Sequence, residues 1–352
     1  MCENCTFPRG AWDREVELLT FMFKNRPALG TACCIMAAVC YTIGSICMRQ
    51  VSALGCDPSW AVCVKESITV LVIGPCLIYR AVRGLRVFPP LKILLILILA
   101  GLTDQLLGNL AWQCAVGIVG LAVTVPAAFG VMITGSAIFG RFILGEKVTP
   151  RSMVAIGLLL VSLILLSLGA ESAGEVMAKS SHASIADAAI ADPSPASAKL
   201  LVAEAVLVAG VAGAAFALLS IAIRHTMNAA TQQSTLMFII TGIGVITLGP
   251  ISIHRQGLEG LMSTTGEQLA WMVAAGFFNL LGFIGFTKGL HLTTVVRANV
   301  LSASQVAMAA VAGILVFQES PNLWLLLGVA LTLSGIFLID RPVAEQSLDR
   351  AI

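Results

Sequence analysis

Chemistry in this chain is possible chiefly where charge interrupts apolar runs. Lys65 and Glu66 break the run SWAVCVKESITVLVIG, and Asp104 breaks LKILLILILAGLTDQLLGNLAWQ. A carboxylate near the centre of a bilayer costs ~2.5–3.5 kcal/mol on insertion scales, so Asp104 is expected to face a cavity or a partner. Gln105, Asn109 and Gln113 come next at steps of four, which makes a polar stripe beside the row Asp104, Gly108, Trp112 on one helix. Such a set can exchange a proton, pair with a charged solute or hold a polar one through its amides. Counted at the helical rise, Lys65 lies ~9 Å and Asp104 ~12 Å below the same surface. Those depths suit a Lys65–Asp104 ion pair, or Lys65 on an anionic group while Asp104 or Glu66 takes a proton. Packing accounts for the same residues in another way: Lys65 snorkels to the headgroups, and the amides bridge helices.

The rest of the chain offers little competing chemistry. His182, His225, His254 and His291 are dispersed, and no Gly-rich phosphate loop is present, so neither a cofactor nor a metal nor a catalytic set is expected. All 10 cysteines stand at or before Cys114, mostly inside apolar runs where Cys acts as a small apolar residue. Cys2 and Cys5 form a single CxxC without a second pair, which reads as a solvated tail.

The elements that must position the charged residues can be inferred from composition. Hydrophobic residues make up 58% and charged residues 11% of the chain, which implies an all-α integral membrane protein in a lipid bilayer. The net charge of +2 argues against a nucleic-acid partner. Runs of about 20 apolar residues, each long enough to cross a bilayer, are placed near 29–48, 59–79, 93–113, 118–140, 151–169, 200–222, 234–253, 268–287, 294–316 and 323–340. Ten transmembrane helices are therefore expected. Residues 1–28 form an N-terminal tail with a weakly amphipathic run from Trp12 to Phe23, and no cleavable leader is expected. The Ala/Ser-rich stretch 170–199 reads as a linker on the outer side, and 341–352 as a second tail.

Basic residues set the expected sidedness. With both termini cytoplasmic, sixteen Lys and Arg fall inside and four, Arg49, Lys179, Lys199 and Arg255, fall outside, while Lys65 lies within a span. The multi-pass protein is expected in the plasma (inner) membrane.

The chain also repeats itself. GEKVTPRSMVAIGLLLVSLILL, Gly145 to Leu166, returns as QESPNLWLLLGVALTLSGIFLI, Gln318 to Ile339. Thr149-Pro150 and Ser320-Pro321 each supply an N-cap followed by a proline at the first helical position. Upstream, Arg49 recurs as Arg224, Gly74-Pro75 as Gly249-Pro250, and Ala100-Gly101 as Ala275-Gly276, always 175 residues on (224 − 49, 249 − 74, 275 − 100). In the closing motif the difference falls to 171 (321 − 150). The halves, 29–169 and 200–340, hold five spans each. Because five is odd, the second half begins on the opposite side, and the repeat is inverted.

At that offset Lys65 maps to Ile240, Glu66 to Thr241 and Asp104 to Asn279, so ionisable chemistry is confined to one half and the site is expected to be asymmetric. Thr241, Asn279, Asn299, Ser302 and Gln305 are further candidates for hydrogen bonds to a solute, with packing as the alternative role.

Ten spans, the five-plus-five duplication and the GEKVTP turn before the fifth helix resemble the drug/metabolite transporter superfamily, in particular its EamA-type members. The resemblance covers about residues 29 to 340. Two departures are Gln318-Glu319 in place of Gly-Glu, and a Pro126 that stands earlier than the usual proline of the fourth helix. The resemblance implies a secondary transporter of a small organic metabolite or drug, working by alternating access. It also implies helices one to four and six to nine around a central cavity, with five and ten outside. Lys65 is the nearest match to a basic residue often found early in the second helix of that family. A membrane-embedded enzyme and a structural or receptor protein are the rival readings.

Overall fold

A computed structural model describes residues 26–85, 87–145, 149–151, 153–162, 164–165, 195–227, 232–308, 311 and 323–338. The expected N-terminal amphipathic run, Cys2/Cys5, most of the linker, the second closing turn and the C-terminal tail lie outside them. All regular structure among the described residues is helical. The helices are α1 (Arg26–Ala53), α2 (Pro58–Val82), α3 (Leu91–Thr103), α4 (Ala111–Ile143), α5 (Met153–Ser162), α6 (Pro195–Met227), α7 (Gln233–Met262), α8 (Gly266–Leu292), α9 (Val295–Ser302) and α10 (Leu323–Leu338). A π-helical segment, π1 (Asp104–Leu110), joins α3 to α4.

Seven of these stretches are long and apolar enough to cross a bilayer: Ala28–Ala53, Pro58–Val82, Leu91–Leu121, Thr124–Ile143, Glu204–Met227, Gln233–Met262 and Gly266–Leu292. Met153–Ser162 is apolar but shorter. The surface has the polarity of a membrane protein, with Ile246 74% and Leu207 70% exposed, while Glu66, Asp104, Gln105 and Gln113 are buried. Helix ends differ from the apolar windows for local reasons. The third span continues to Leu121 because the break falls at Gly120, whose φ of 72° and ψ of 178° suit only glycine. α7 runs past residue 253 through a similar break at Gly257 (φ 72°, ψ 168°), and α6 starts at Pro195, inside the expected linker. Pro150 is the first helical residue after Thr149, which places it where a missing N–H costs nothing.

α2 and α7, the second helix of each half, lie side by side and antiparallel. Ser252 Oγ donates to Ser59 Oγ at 3.1 Å near one end, and a Cβ on Gly74 would stand 3.4 Å from Phe238 nearer the other. α1 and α8 are also antiparallel: Gly30 abuts Leu292 and Thr293, while Gln268 Nε2 donates to Leu54 O at 3.1 Å. Pro75 and Pro250 occupy the same place inside α2 and α7, where each removes one helical hydrogen bond.

The contacts themselves are duplicated. A Cβ on Gly276 would meet Ile68 Cγ1 at 2.5 Å and Lys65 O at 2.7 Å; a Cβ on Gly101 would meet Ile243 Cδ1 at 2.7 Å and Ile240 Cα at 3.4 Å. These are the same neighbours displaced by 175 (276 − 101, 243 − 68, 240 − 65). From Gly108, inside π1, onward the displacement along this helix becomes 174. Gly282 packs on Tyr41 and Gly108 on Phe216 (282 − 108, against 216 − 41 = 175 on the facing helix), and the ring pairs Tyr41–Phe286 and Trp112–Phe216 correspond. The first half therefore holds one extra residue between Gly101 and Gly108, and π1 is where the helix accommodates it.

α5 and α10 pack on each other away from the centre. Ser162 Oγ donates to Gly328 O at 2.8 Å, and Gly335 abuts Leu159. Among the described residues, none of α5 or α10 reaches the central cavity.

Candidate functional site

The site is built where α2 passes π1. α2 begins cleanly because Asp57 accepts from the amides of Ser59 (2.9 Å) and Trp60 (3.2 Å), with Pro58 at the first turn. Lys65 and Glu66 stand two turns further in, both buried. On the facing element the wider π turn sets Asn109 over Asp104, and Asn109 Nδ2 donates to Asp104 Oδ2 at 3.0 Å across five residues. Gln105, Asn109 and Gln113 of the expected stripe all reach the same cavity, and the wider turn adds a bond between residues five apart.

Lys65 Nζ pairs with Glu66 Oε1 at 3.0 Å and donates to Asn109 Oδ1 at 2.6 Å. The direct Lys65–Asp104 ion pair expected from matched depth is replaced by a bridge: Asn109 accepts from Lys65 and donates to Asp104. The Asn109 amide stands between the two side chains. Gln105 Nε2 donates to Asp104 Oδ2 at 3.3 Å and to Ile240 O at 3.4 Å, so its nitrogen is placed and its oxygen faces away from both. Gly244 leaves the room for this: a Cβ there would stand 2.7 Å from Gln105 Cδ and 3.1 Å from Glu66 Cγ. Asp104 Oδ1, Gln105 Oε1 and Ser302 Oγ are buried without a hydrogen-bond partner.

These groups border a cavity of about 170 Å³ between α1, α2, π1, α4, α6, α7, α8 and the residues around α9. Lys65, Glu66 and Asp104 are the charged residues among its lining. The ring pairs Tyr41–Phe286 (centroids 6.4 Å apart) and Trp112–Phe216 (5.9 Å) give it aromatic walls. Ser220, Asn279, Ser302 and Gln305 contribute polar groups from the second half.

Of the residues singled out in the sequence, Lys65, Glu66, Asp104, Gln105, Asn109, Asn279, Ser302 and Gln305 meet at this cavity. Thr241 and Asn299 do not line it. The Thr241 hydroxyl donates to Met237 O on its own helix at 2.8 Å. Asn299 lies behind the wall, donating to Ser136 Oγ at 2.5 Å and accepting from Ser220 Oγ at 3.3 Å. Gln113 lines the cavity and also ties π1's continuation to α1 by donating to Met48 O (3.1 Å) and Ser52 Oγ (2.8 Å). The aromatic walls do not emerge from the charged and polar pattern of the sequence. Their signal is nonetheless present, since aromatic residues are only 6% of the chain and Tyr41 and Phe216 stand 175 apart.

Arg224 and Arg297 lie at helix ends and serve local structure. Arg224 donates to the carbonyls of Leu290 (2.7 Å) and His291 (2.8 Å) at the end of α8, and Arg297 to Thr31 Oγ1 (3.1 Å). At the opposite end Arg255 pairs with Asp57 at 3.4 Å. Among the described residues no group of three His, Cys, Asp or Glu is placed to hold a metal ion.

Comparison with known proteins agrees with this architecture. Among 28 matching chains of solved structures, one crystal structure has 16% sequence identity and a TM-score of 0.63, covering 91% of this chain and 98% of its own. At that identity the likeness is one of fold. No curated protein matches the sequence. The model of the EamA-like transporter family matches twice, over residues 28–168 and 203–340, one match to each half of the duplicated contacts. The chain belongs to the EamA-like transporter family.

Proposed function

We propose that the protein is a secondary transporter that carries a small organic solute by alternating access, with coupling to protons or exchange centred on Asp104. The observation that carries this reading is a cavity between the two halves in which a buried Lys65–Glu66–Asn109–Asp104 chain faces aromatic walls. A buried carboxylate beside an internal cavity is costly unless a proton or a partner neutralises it, so its occupancy can be linked to that of the cavity. In this reading Lys65, Glu66, Asp104, Gln105, Asn109, Asn279 and Gln305 contact solute or proton, while Thr241 and Asn299 hold the wall in shape.

The full topology is ten spans in two inverted five-helix repeats, 29–169 and 200–340, joined by the linker 170–199. Antiparallel α2 and α7, and glycine contacts repeated between the halves, support the inversion. Arg224 and Arg297 lie at one end of the bundle and Arg255 at the other, which supports the sidedness read from charge, with both termini cytoplasmic in the plasma membrane.

The test is uptake of a solute panel into proteoliposomes, with and without an imposed proton gradient. Wild type accumulates at least one class of solute, and Asp104→Asn loses the response to the gradient. Equal transport and equal pH dependence in the variant would remove Asp104 from the mechanism.

A further inference from the structure

Resting on the transporter reading, we infer that the cargo is a small organic cation, an amine bearing N–H donors on an apolar or aromatic body, held by Asp104, which Gln105 positions. Charge balance points to a cation first. One lysine faces two carboxylates in the cavity, so the cluster carries one unmatched negative charge when all three are ionised. Lys65 is occupied by Glu66 and Asn109, and Asn109 passes only a neutral amide hydrogen bond on to Asp104. Glu66 has its cation and Asp104 does not.

Hydrogen bonding points the same way. Gln105 Nε2 is held by two acceptors and Asn109 Nδ2 by Asp104, whereas Asp104 Oδ1 and Gln105 Oε1 are buried acceptors without donors. Buried acceptors are rarely left unsatisfied; Asp104 Oδ1 lies beside Phe216 of the cavity wall and matches a donor of the ligand, whereas Gln105 Oε1 lies against Gly244 of α7. An ammonium supplies both the donor that Asp104 Oδ1 lacks and the missing positive charge. An anion would meet that oxygen with repulsion and would have to draw Lys65 out of two short contacts.

The walls complete the match. A Cβ on Gly108 would stand 2.9 Å from the Phe216 ring and 3.2 Å from Asp104 Oδ1, so an aromatic ring lies beside the unpaired carboxylate oxygen. Trp112 packs on Phe216, and Tyr41 with Phe286 provides the corresponding pair in the other wall. Aromatic rings attract a cation through their faces and accept the apolar body of the molecule through their area.

The test uses four probes of similar size: phenethylamine, phenylalanine, 2-phenylethanol and 3-phenylpropionate. Binding to the purified full chain in nanodiscs is read by calorimetry, and uptake by proteoliposomes. Phenethylamine is expected to bind at least tenfold more tightly than the other three. Asp104→Asn should abolish that preference while its unfolding profile stays cooperative, and Gln105→Leu should weaken amine binding several-fold. Because Gln105→Leu removes the amide and leaves the Asp104 charge in place, it separates hydrogen bonding from charge. Preference for the anion, the alcohol or the zwitterion overturns the amine assignment, and their uptake would leave the transporter reading standing. Amine binding that is unchanged in Asp104→Asn overturns the placement of the cation. Absence of amine binding to folded protein overturns the inference, and absence of uptake for every probe and for the wider solute panel overturns the transporter reading as well.

Discussion

Asn109 decides how the charges in the cavity communicate. Its carbonyl oxygen accepts from Lys65 and its amide nitrogen donates to Asp104, so one neutral side chain satisfies a cation and an anion at once. Hydrogen bonds to charged groups are worth about 1.5–3 kcal/mol, and removing one partner leaves the other buried and unpaired. Asn109→Leu, close in volume, should therefore lower stability by about that amount in thermal unfolding of detergent-solubilised protein. It should also alter the pH dependence of uptake, because Lys65, Glu66 and Asp104 lose their link; an unaltered profile would show that the link is structural alone. At this scale the sequence is informative where burial is costly. Lys65, Glu66 and Asp104 stand out because charge in an apolar run needs a reason. Thr241 and Asn299 do not separate from the lining residues, since a hydroxyl can bond its own helix and an amide can bond a neighbour at little cost.

The third span, from Leu91 through π1 to Leu121, places the site by an irregularity. One residue more than the second half carries turns α-helical spacing into π spacing at Asp104, and this lets Asn109, five residues on, bond Asp104. Apolar helices draw on few residue types, so a single insertion leaves almost no trace in the residues themselves; it emerges from contacts that shift from 175 to 174. Span ends are also hard to read, because apolar windows do not reveal where glycine breaks the backbone. At Gly120 the break takes φ 72° and ψ 178°, a region that side chains avoid at a cost of about 1–3 kcal/mol. Gly120→Ala should reduce thermal stability within that range, whereas an alanine at helical Gly157, whose Cβ would meet nothing outside its own helix backbone within 4 Å, should leave stability unchanged or raise it by up to about 1 kcal/mol. Equal losses at both positions would show that the break is not glycine-dependent.

Over the whole molecule, the division into two halves is legible because the duplicated residues are glycines and prolines, whose roles depend on backbone approach and so persist at fixed spacing. The facing of the halves can be checked by chemistry. A Cβ on Gly249 would stand 3.7 Å from Cys63 Sγ, so Gly249→Cys should form a disulfide with Cys63 under mild oxidation, detected as a linked peptide by mass spectrometry. Parallel α2 and α7 would leave the two positions far apart and the peptides separate.

That antiparallel pair has one more property. Ser59 meets Ser252, Cys63 meets Gly249 and Gly74 meets Phe238, so the level at which each helix passes its own copy lies close to Ile68 and Ile243, which are themselves 175 apart. If the two bundles trade conformations to open first one mouth and then the other, this level is the fulcrum. Probes fixed there should hold a steady separation through the cycle while those at the two rims swing in opposite senses.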